Sequence, residues 1–166
     1  MILETARLLL IPLSAAQMRL WAEDIPALEA DMGCRYEAEP VEGIFLEIIR
    51  GQAEKIEADA PSWLYHTFWF LVRKSDRVVV GSADFKHVPN AQGEVEIGYG
   101  LGEAFEHCGY MTECVQAMCG WGLRQPGVSR ILAETEPGNP ASENVLKRCG
   151  FEPYKQAGTN WWRLTR

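Results

Sequence analysis

Residues 94–112 read Glu94-Val-Glu-Ile-Gly-Tyr-Gly-Leu-Gly-Glu-Ala-Phe-Glu-His-Cys-Gly-Tyr-Met-Thr112, and this stretch decides the fold. Glu94 to Leu101 reads as a β-strand, and its glycines Gly98 and Gly100 predict a bulge or a close backbone approach near the strand end. Past a short turn, Met111, Cys114, Val115, Met118 and Gly122 recur at steps of three and four. That spacing predicts an amphipathic helix from about Gly109 to Leu123. A helix start leaves backbone N–H groups without partners and carries partial positive charge, so a phosphate can sit on it. Gly109 removes a side chain where the backbone would approach such an anion.

Working outward toward the N-terminus, the turn Pro89–Gly93 precedes this strand. Before it, His66–Arg73 and Arg77–His87 are aromatic or β-branched runs separated by Lys74-Ser75-Asp76, which reads as a hairpin. Arg7–Leu13 reads as a first strand. Ser14-Ala-Ala-Gln17 is a capping-box signature opening a helix through Met18, Leu20 and Trp21. A second helix is expected from about Val41 to Ala58, with Ile44, Phe45, Ile48 and Ile49 at helical spacing. Toward the C-terminus, Ser129–Glu136 reads as a strand and Asn139–Cys149 as a helix. Phe151 onward reads as a last strand or hairpin. Strands alternating with helices call for a partly parallel sheet with covering helices, hence a mixed α/β fold.

The chain has 166 residues, 47% hydrophobic and 23% charged, which fits one globular domain over residues 1–166. A net charge of -7 argues against nucleic-acid binding, which draws on clustered Lys and Arg, and mildly favours cationic partners. The apolar run Leu8–Ile11 is too short for a signal segment or a membrane span, so a cytoplasmic protein without membrane attachment is expected. Five cysteines without CxxC spacing and three histidines complete no zinc pattern, so reduced thiols and no metal are expected.

Residues 106–111, Glu-His-Cys-Gly-Tyr-Met, resemble the coenzyme A pyrophosphate loop of the Gcn5-related N-acetyltransferase (GNAT) family, written Gln/Arg-x-x-Gly-x-Gly/Ala. Glu106 and Met111 depart from the pattern. A second stretch, Asn139-Pro-Ala-Ser-Glu-Asn-Val-Leu-Lys-Arg-Cys-Gly-Phe151, resembles the family's Asn-x-Ala-Ser signature with its helix ending in Gly-Phe. Locally, Asn139 is a good N-cap, Pro140 suits the first turn and Gly150 is a helix stop. The opening Leu3–Leu13 is similar to that of the ribosomal-protein N-terminal acetyltransferase (RimJ/RimL-like) branch.

The resemblance implies one GNAT-like domain. Its twisted mixed sheet would have six or seven strands, with about four flanking helices and a splay between the fourth and fifth strands, Glu94–Leu101 and Ser129–Glu136. Acetyl-CoA would lie in that opening. The backbone of Ile97, Gly98, Tyr99, Gly100 and Leu101 would pair with its pantetheine arm. The amides of Cys108, Gly109, Tyr110, Met111 and Thr112 would hold the pyrophosphate, with Asn139 and Ser142 near the acyl end. The partner is an amine acceptor, either a protein N-terminus or a small molecule, and the protein a monomer or homodimer.

Attack of a neutral amine on a thioester needs a proton route and help for the departing thiolate. Glu96 is the carboxylate expected to serve the amine, with Glu94 as competitor on the same strand face. Ser142 is expected to protonate the thiolate, since Leu146 stands where many family members carry a helix tyrosine. It also fits a local cap role. Tyr110 and Tyr154 read as core residues, as do Trp63, Trp69, Trp161 and Trp162, which otherwise fit an acceptor pocket. Lys147 and Arg148 suit the helix C-terminus or a coenzyme phosphate. The departures at Glu106 and Leu146 leave open an acyl-CoA-binding module with impaired catalysis.

Overall fold

The computed structural model describes residues 1–166. In chain order the elements are β1 (Leu3–Glu4), β2 (Leu8–Pro12), α1 (Ala15–Glu23), α2 (Ile25–Met32), β3 (Arg35–Tyr36), α3 (Gly43–Ala58), β4 (Phe68–Arg73), β5 (Val78–Phe85), β6 (Glu94–Leu101), α4 (Tyr110–Leu123), β7 (Arg130–Thr135), α5 (Pro140–Arg148), β8 (Glu152–Ala157) and β9 (Thr159–Thr165). Short 3₁₀ turns occupy Ala60–Tyr65 and Glu103–Phe105. The strands form one mixed sheet in the order β1-β2-β4-β5-β6-β7-β9-β8, with β3 added in parallel beside the start of β5.

Nine strands exceed the six or seven expected. Two of them, β1 and β3, are two-residue pairings with no sequence period to betray them, and the C-terminal segment is a hairpin. Five α-helices replace about four. The unforeseen one, α2, follows α1 across the single residue Asp24, whose carboxylate accepts from Ala27 N, and ends at Gly33 with φ +61°. Ser14 caps α1 as its capping box predicts, accepting from Gln17 N while Ser14 N donates to Gln17 Oε1.

Helices cover both faces of the sheet. On one face, Met111, Cys114, Val115 and Met118 of α4 and Leu146 of α5 pack on β-strand residues such as Trp69, Val80, Phe85 and Ile131. On the other, Met18 and Trp21 of α1 and Ile49, Ala53 and Ile56 of α3 pack on Phe68, Phe70 and Val79. Ile44 and Ile48, expected on the apolar face of α3, are 80% and 46% exposed, and the buried stripe runs through Ile49 and Ile56 instead. Trp69 and Trp162 are buried in the core. Tyr154 is 38% exposed on the edge strand β8 rather than in the core, with the Arg163 guanidinium over its ring.

Two irregularities position the site. The first is in β5. Leu71 pairs with Gly81 and Val72 with Val79, so Val80 is one residue more than its partner strand accommodates. Val78 and Val80 face the α4 core, yet beyond the bulge it is Ala83 and Phe85 that face it. The strand has changed phase. Ser82 and Asp84 therefore turn toward α3. Gly81 is needed there, because a Cβ would collide with the Gly100 carbonyl. Of the two alternatives expected for the β6 glycines, the close approach is found and not the bulge: Gly81–Phe85 pairs with Ile97–Leu101 without a break, and Asp84 and Glu39 pack directly on Gly98 and Gly100.

The second irregularity is the parallel pairing of β6 with β7, which holds only from Glu94 to Glu96 against Arg130 to Leu132. Beyond Glu96 the two strands part. This is the expected splay, and it leaves the β6 edge from Ile97 to Leu101 without a partner strand.

Candidate active site

The splay opens into two recesses that meet at Tyr99, Gly100, Asn139 and Ser142. The first is a cleft of about 530 Å³ between the C-terminal end of β6, the start of α4 and α5. The turn before α4 forms its floor. His107 and Gly109 have φ of +63° and +83°, and the helix then begins with no side-chain cap. None of the backbone N–H groups from His107 to Thr112 donates to a protein acceptor before the first helical bond. Successive free amides around a left-handed residue form an anion-binding concavity, reinforced by the helix dipole. These residues fit the diphosphate of a coenzyme.

The turn is braced from behind. Arg7 donates from Nη2 to Cys108 O at 2.9 Å, pairs with Glu113, and stacks over Tyr110 at 4.4 Å. Tyr110 is buried, and Arg73 also donates to its hydroxyl at 3.3 Å. Met111 turns into the core, which accommodates its departure from a small residue. Glu106 is exposed at the rim of the cleft, which Arg148 from the last turn of α5 also lines.

Asn139 caps α5 by accepting from Ser142 N at 3.2 Å, which fixes Ser142 at the junction of the two recesses. The Ser142 Oγ and the Tyr99 hydroxyl lie 2.7 Å apart in a hydrogen bond. Burial pushes the Tyr99 phenol up to about 12, so it stays protonated at working pH. The sequence reading assigned Tyr99 only a backbone role. Nothing local in the sequence showed that its ring meets a serine 43 positions away. Leu146 is buried in the core.

The second recess, about 540 Å³, lies on the opposite side of Tyr99, between β5, β6, β7 and α3. Glu96 does not line it. Its carboxylate is turned to Lys86 Nζ at 2.9 Å, behind the wall. Glu94 is committed to Arg130 at 3.0 Å. The carboxylate that faces the recess is Asp84, brought there by the phase change in β5. It lies over Gly98, where a Cβ would come within 2.6 Å of Asp84 Oδ1. Burial pushes Asp84 up to about 6; Lys86 lowers it and Glu96 raises it. Four separate elements thus line two adjoining recesses: the strand edge, the turn before α4, the Asn139 cap and Asp84. The arrangement is that of a two-substrate transferase with an anionic cofactor on one side and a second reactant on the other.

Comparison with known proteins agrees. The family described as acetyltransferase (GNAT) domain matches residues 7–152, and the chain belongs to that family. It is similar to the uncharacterized N-acetyltransferase YjdG of Bacillus subtilis, at 28% identity over 152 residues, covering 86% of this chain and 90% of that protein. It is also 30% identical over 87 residues to the ribosomal protein uS5-alanine N-acetyltransferase of Escherichia coli, covering 51% of this chain and 45% of the other. Among solved structures, the ribosomal-protein-S5-alanine acetyltransferase of Vibrio fischeri superposes with a TM-score of 0.72 at 15% identity, covering 99% of this chain and 96% of that one. The RimL ribosomal-protein acetyltransferase in complex with coenzyme A gives 0.71 at 16% identity, over 99% and 98% of the chains. The protein is an N-acetyltransferase. No helix in it is long and apolar enough to cross a membrane.

Proposed function

We propose that the chain moves the acetyl group of acetyl-CoA to a primary amine by direct attack in a ternary complex. The observation that carries this reading is the meeting of the two recesses at Tyr99 and Ser142, which leaves one place where thioester and amine can touch. The amides of residues 108–112 hold the diphosphate, and the free edge of β6 from Ile97 to Leu101 takes the pantetheine arm. Asn139 and Ser142 lie at the acyl end. The five free thiols suit a reducing, cytoplasmic setting.

A lysine-like amine, ordinarily near 10.4, costs roughly 4 to 5 kcal/mol to deprotonate at pH 7, so the acceptor side needs a base. Asp84 takes the amine proton directly. Glu96 belongs to the same route one layer back, where its pairing with Lys86 sets the charge around Asp84. As nitrogen bonds to the acetyl carbon and the carbon–sulfur bond breaks, Ser142, backed by Tyr99, donates to the departing thiolate.

The test has two arms. Acetyl-CoA should raise the melting temperature of the wild type by binding the folded state. Gly109→Val should abolish that rise, since its φ of +83° suits no β-branched residue. An undiminished rise in the variant would remove the coenzyme assignment. Thiol release should depend on an added primary amine; binding without release across a broad amine panel would instead mark a coenzyme-binding module.

A further inference from the structure

The acceptor recess holds more negative charge than one amine can answer. Glu39, Asp84, Glu134 and Glu136 line it, against the single cation Lys86, which Glu96 already engages. Glu134 accepts from the Thr159 hydroxyl at 2.7 Å. Asp84 and Glu39 differ from it. Neither carboxylate has a hydrogen bond or ion pair with any protein group, and desolvation raises both above the usual carboxylate range. A desolvated carboxylate without a hydrogen bond is costly, and the one nearby cation, Lys86, is shared with Glu96. A cation that arrives with the ligand removes that cost.

Their placement is regular. Asp84 lies over Gly98 and Glu39 over Gly100, each filling the space that a side chain on β6 would occupy. Gly98 and Gly100 are alternate residues on one strand face, so the two carboxylates sit along β6 about 7 Å apart. Phe45 and Ile48 of α3 supply an apolar wall, extended by Phe68, the cross-strand neighbour of Asp84; it includes the half-exposed Ile48 left out of the α3 core. Two carboxylates spaced along one wall and hydrocarbon along the other match a ligand with two ammonium groups and methylenes between them. Five bonds of about 1.5 Å in zigzag, as in a four-carbon diamine, reach roughly 6 Å.

The geometry points to an aliphatic diamine or polyamine as acceptor, its reacting nitrogen on Asp84 and its second ammonium on Glu39. The assignment rests on the reading of this recess as the acceptor side of an acetyltransferase. The reacting ammonium gives its proton to Asp84 and its nitrogen bonds to the acetyl carbon. The carbon–sulfur bond breaks and the thiolate takes a proton from the Ser142–Tyr99 pair, the second proton shed by the attacking nitrogen restores that pair, and Asp84 returns its own to solvent. The product is a mono-acetylated amine that keeps one positive charge.

The experiment compares 1,4-diaminobutane with butylamine, which has the same reacting end and no second cation, and with a short peptide bearing a free N-terminus. A charge-assisted bond to Glu39 should give the diamine a kcat/KM 10- to 100-fold above butylamine. In Glu39→Gln that ratio should collapse toward one. As a check that needs no variant, the bis-trimethylammonium analogue of the diamine should inhibit the wild type competitively at a concentration at least 10-fold below butyltrimethylammonium. Equal rates for diamine and butylamine, equal inhibition by the two quaternary ions, or peptide acetylation without diamine acetylation would overturn the dication assignment and leave acetyl transfer standing. Absence of thiol release with every amine would overturn the functional reading beneath it.

Discussion

The proposed coenzyme cleft offers free main-chain groups, whereas the proposed acceptor recess beyond Tyr99 presents ionisable side chains drawn from separate elements. In the proposed reading, free amides of His107–Thr112 and the open edge of β6 recognise through atoms that every residue possesses. Asp84 from β5, Glu39 from the loop before α3 and Glu134 from β7 recognise through their own chemistry. A cleft built from backbone tolerates departures such as Glu106 and Met111, because their side chains can turn to the rim or the core. A recess built from side chains has no such slack, and each position there sets which amine is accepted.

If that contrast holds, the largest single effect belongs to the acceptor side. Asp84→Asn should lower kcat/KM for the amine by about 10²- to 10⁴-fold, the range of a lost general base, without weakening acetyl-CoA binding. It should also stabilise the fold. With its folded-state value raised to about 6, Asp84 binds its proton more tightly in the folded than in the unfolded chain. Stability is therefore lost as pH rises through the interval from about 4 to 6. Urea denaturation at pH 7.5 should find the variant more stable by about 2 kcal/mol, with the difference fading at pH 4. A variant that is no more stable at pH 7.5 would mean that Asp84 is solvated and not enclosed.

At the boundary between the two regions, Tyr99→Phe and Ser142→Ala should each reduce kcat by about 10-fold while the KM for acetyl-CoA changes little. Since the two hydroxyls act as one bonded pair, the double variant should lose much less than the product of the single losses. Multiplicative losses would separate them. The smallest effect is on the coenzyme side, where Asn139→Ala should cost about 1 kcal/mol of stability through loss of the α5 cap, measured by urea titration.

The same contrast decides what could be read from the sequence. The helix start at Gly109, the Asn139 cap and the β6–α4 junction were legible because each depends on a few adjacent residues. The splay followed from the family resemblance. Glu39 was not legible, because it sits in an irregular loop and reaches its place only by folding over Gly100. Ile48 carried the helical period of a core residue and lines the recess instead. Glu96 was a reasonable choice by position, and its engagement by Lys86 depends on a cross-strand neighbour that only the β5–β6 register supplies. Asp84 was hidden for a sharper reason. In Val-Val-Val-Gly-Ser-Ala-Asp-Phe, simple alternation from Val78 puts it in the α4 core.

The extra residue at Val80 therefore ties the packing of the core to catalysis. Pairing that absorbed Val80 into the ladder, a slip of one residue, would restore unbroken alternation along β5, sending the Asp84 carboxylate into the packed layer under α4 and the Phe85 ring into the acceptor recess. The first consequence would be an ion among Trp69, Val95 and Met118, a fault that misfolds the chain before any substrate is met. Such a slip would be rejected during folding, so the requirement for a stable core also guards the register on which the active site depends.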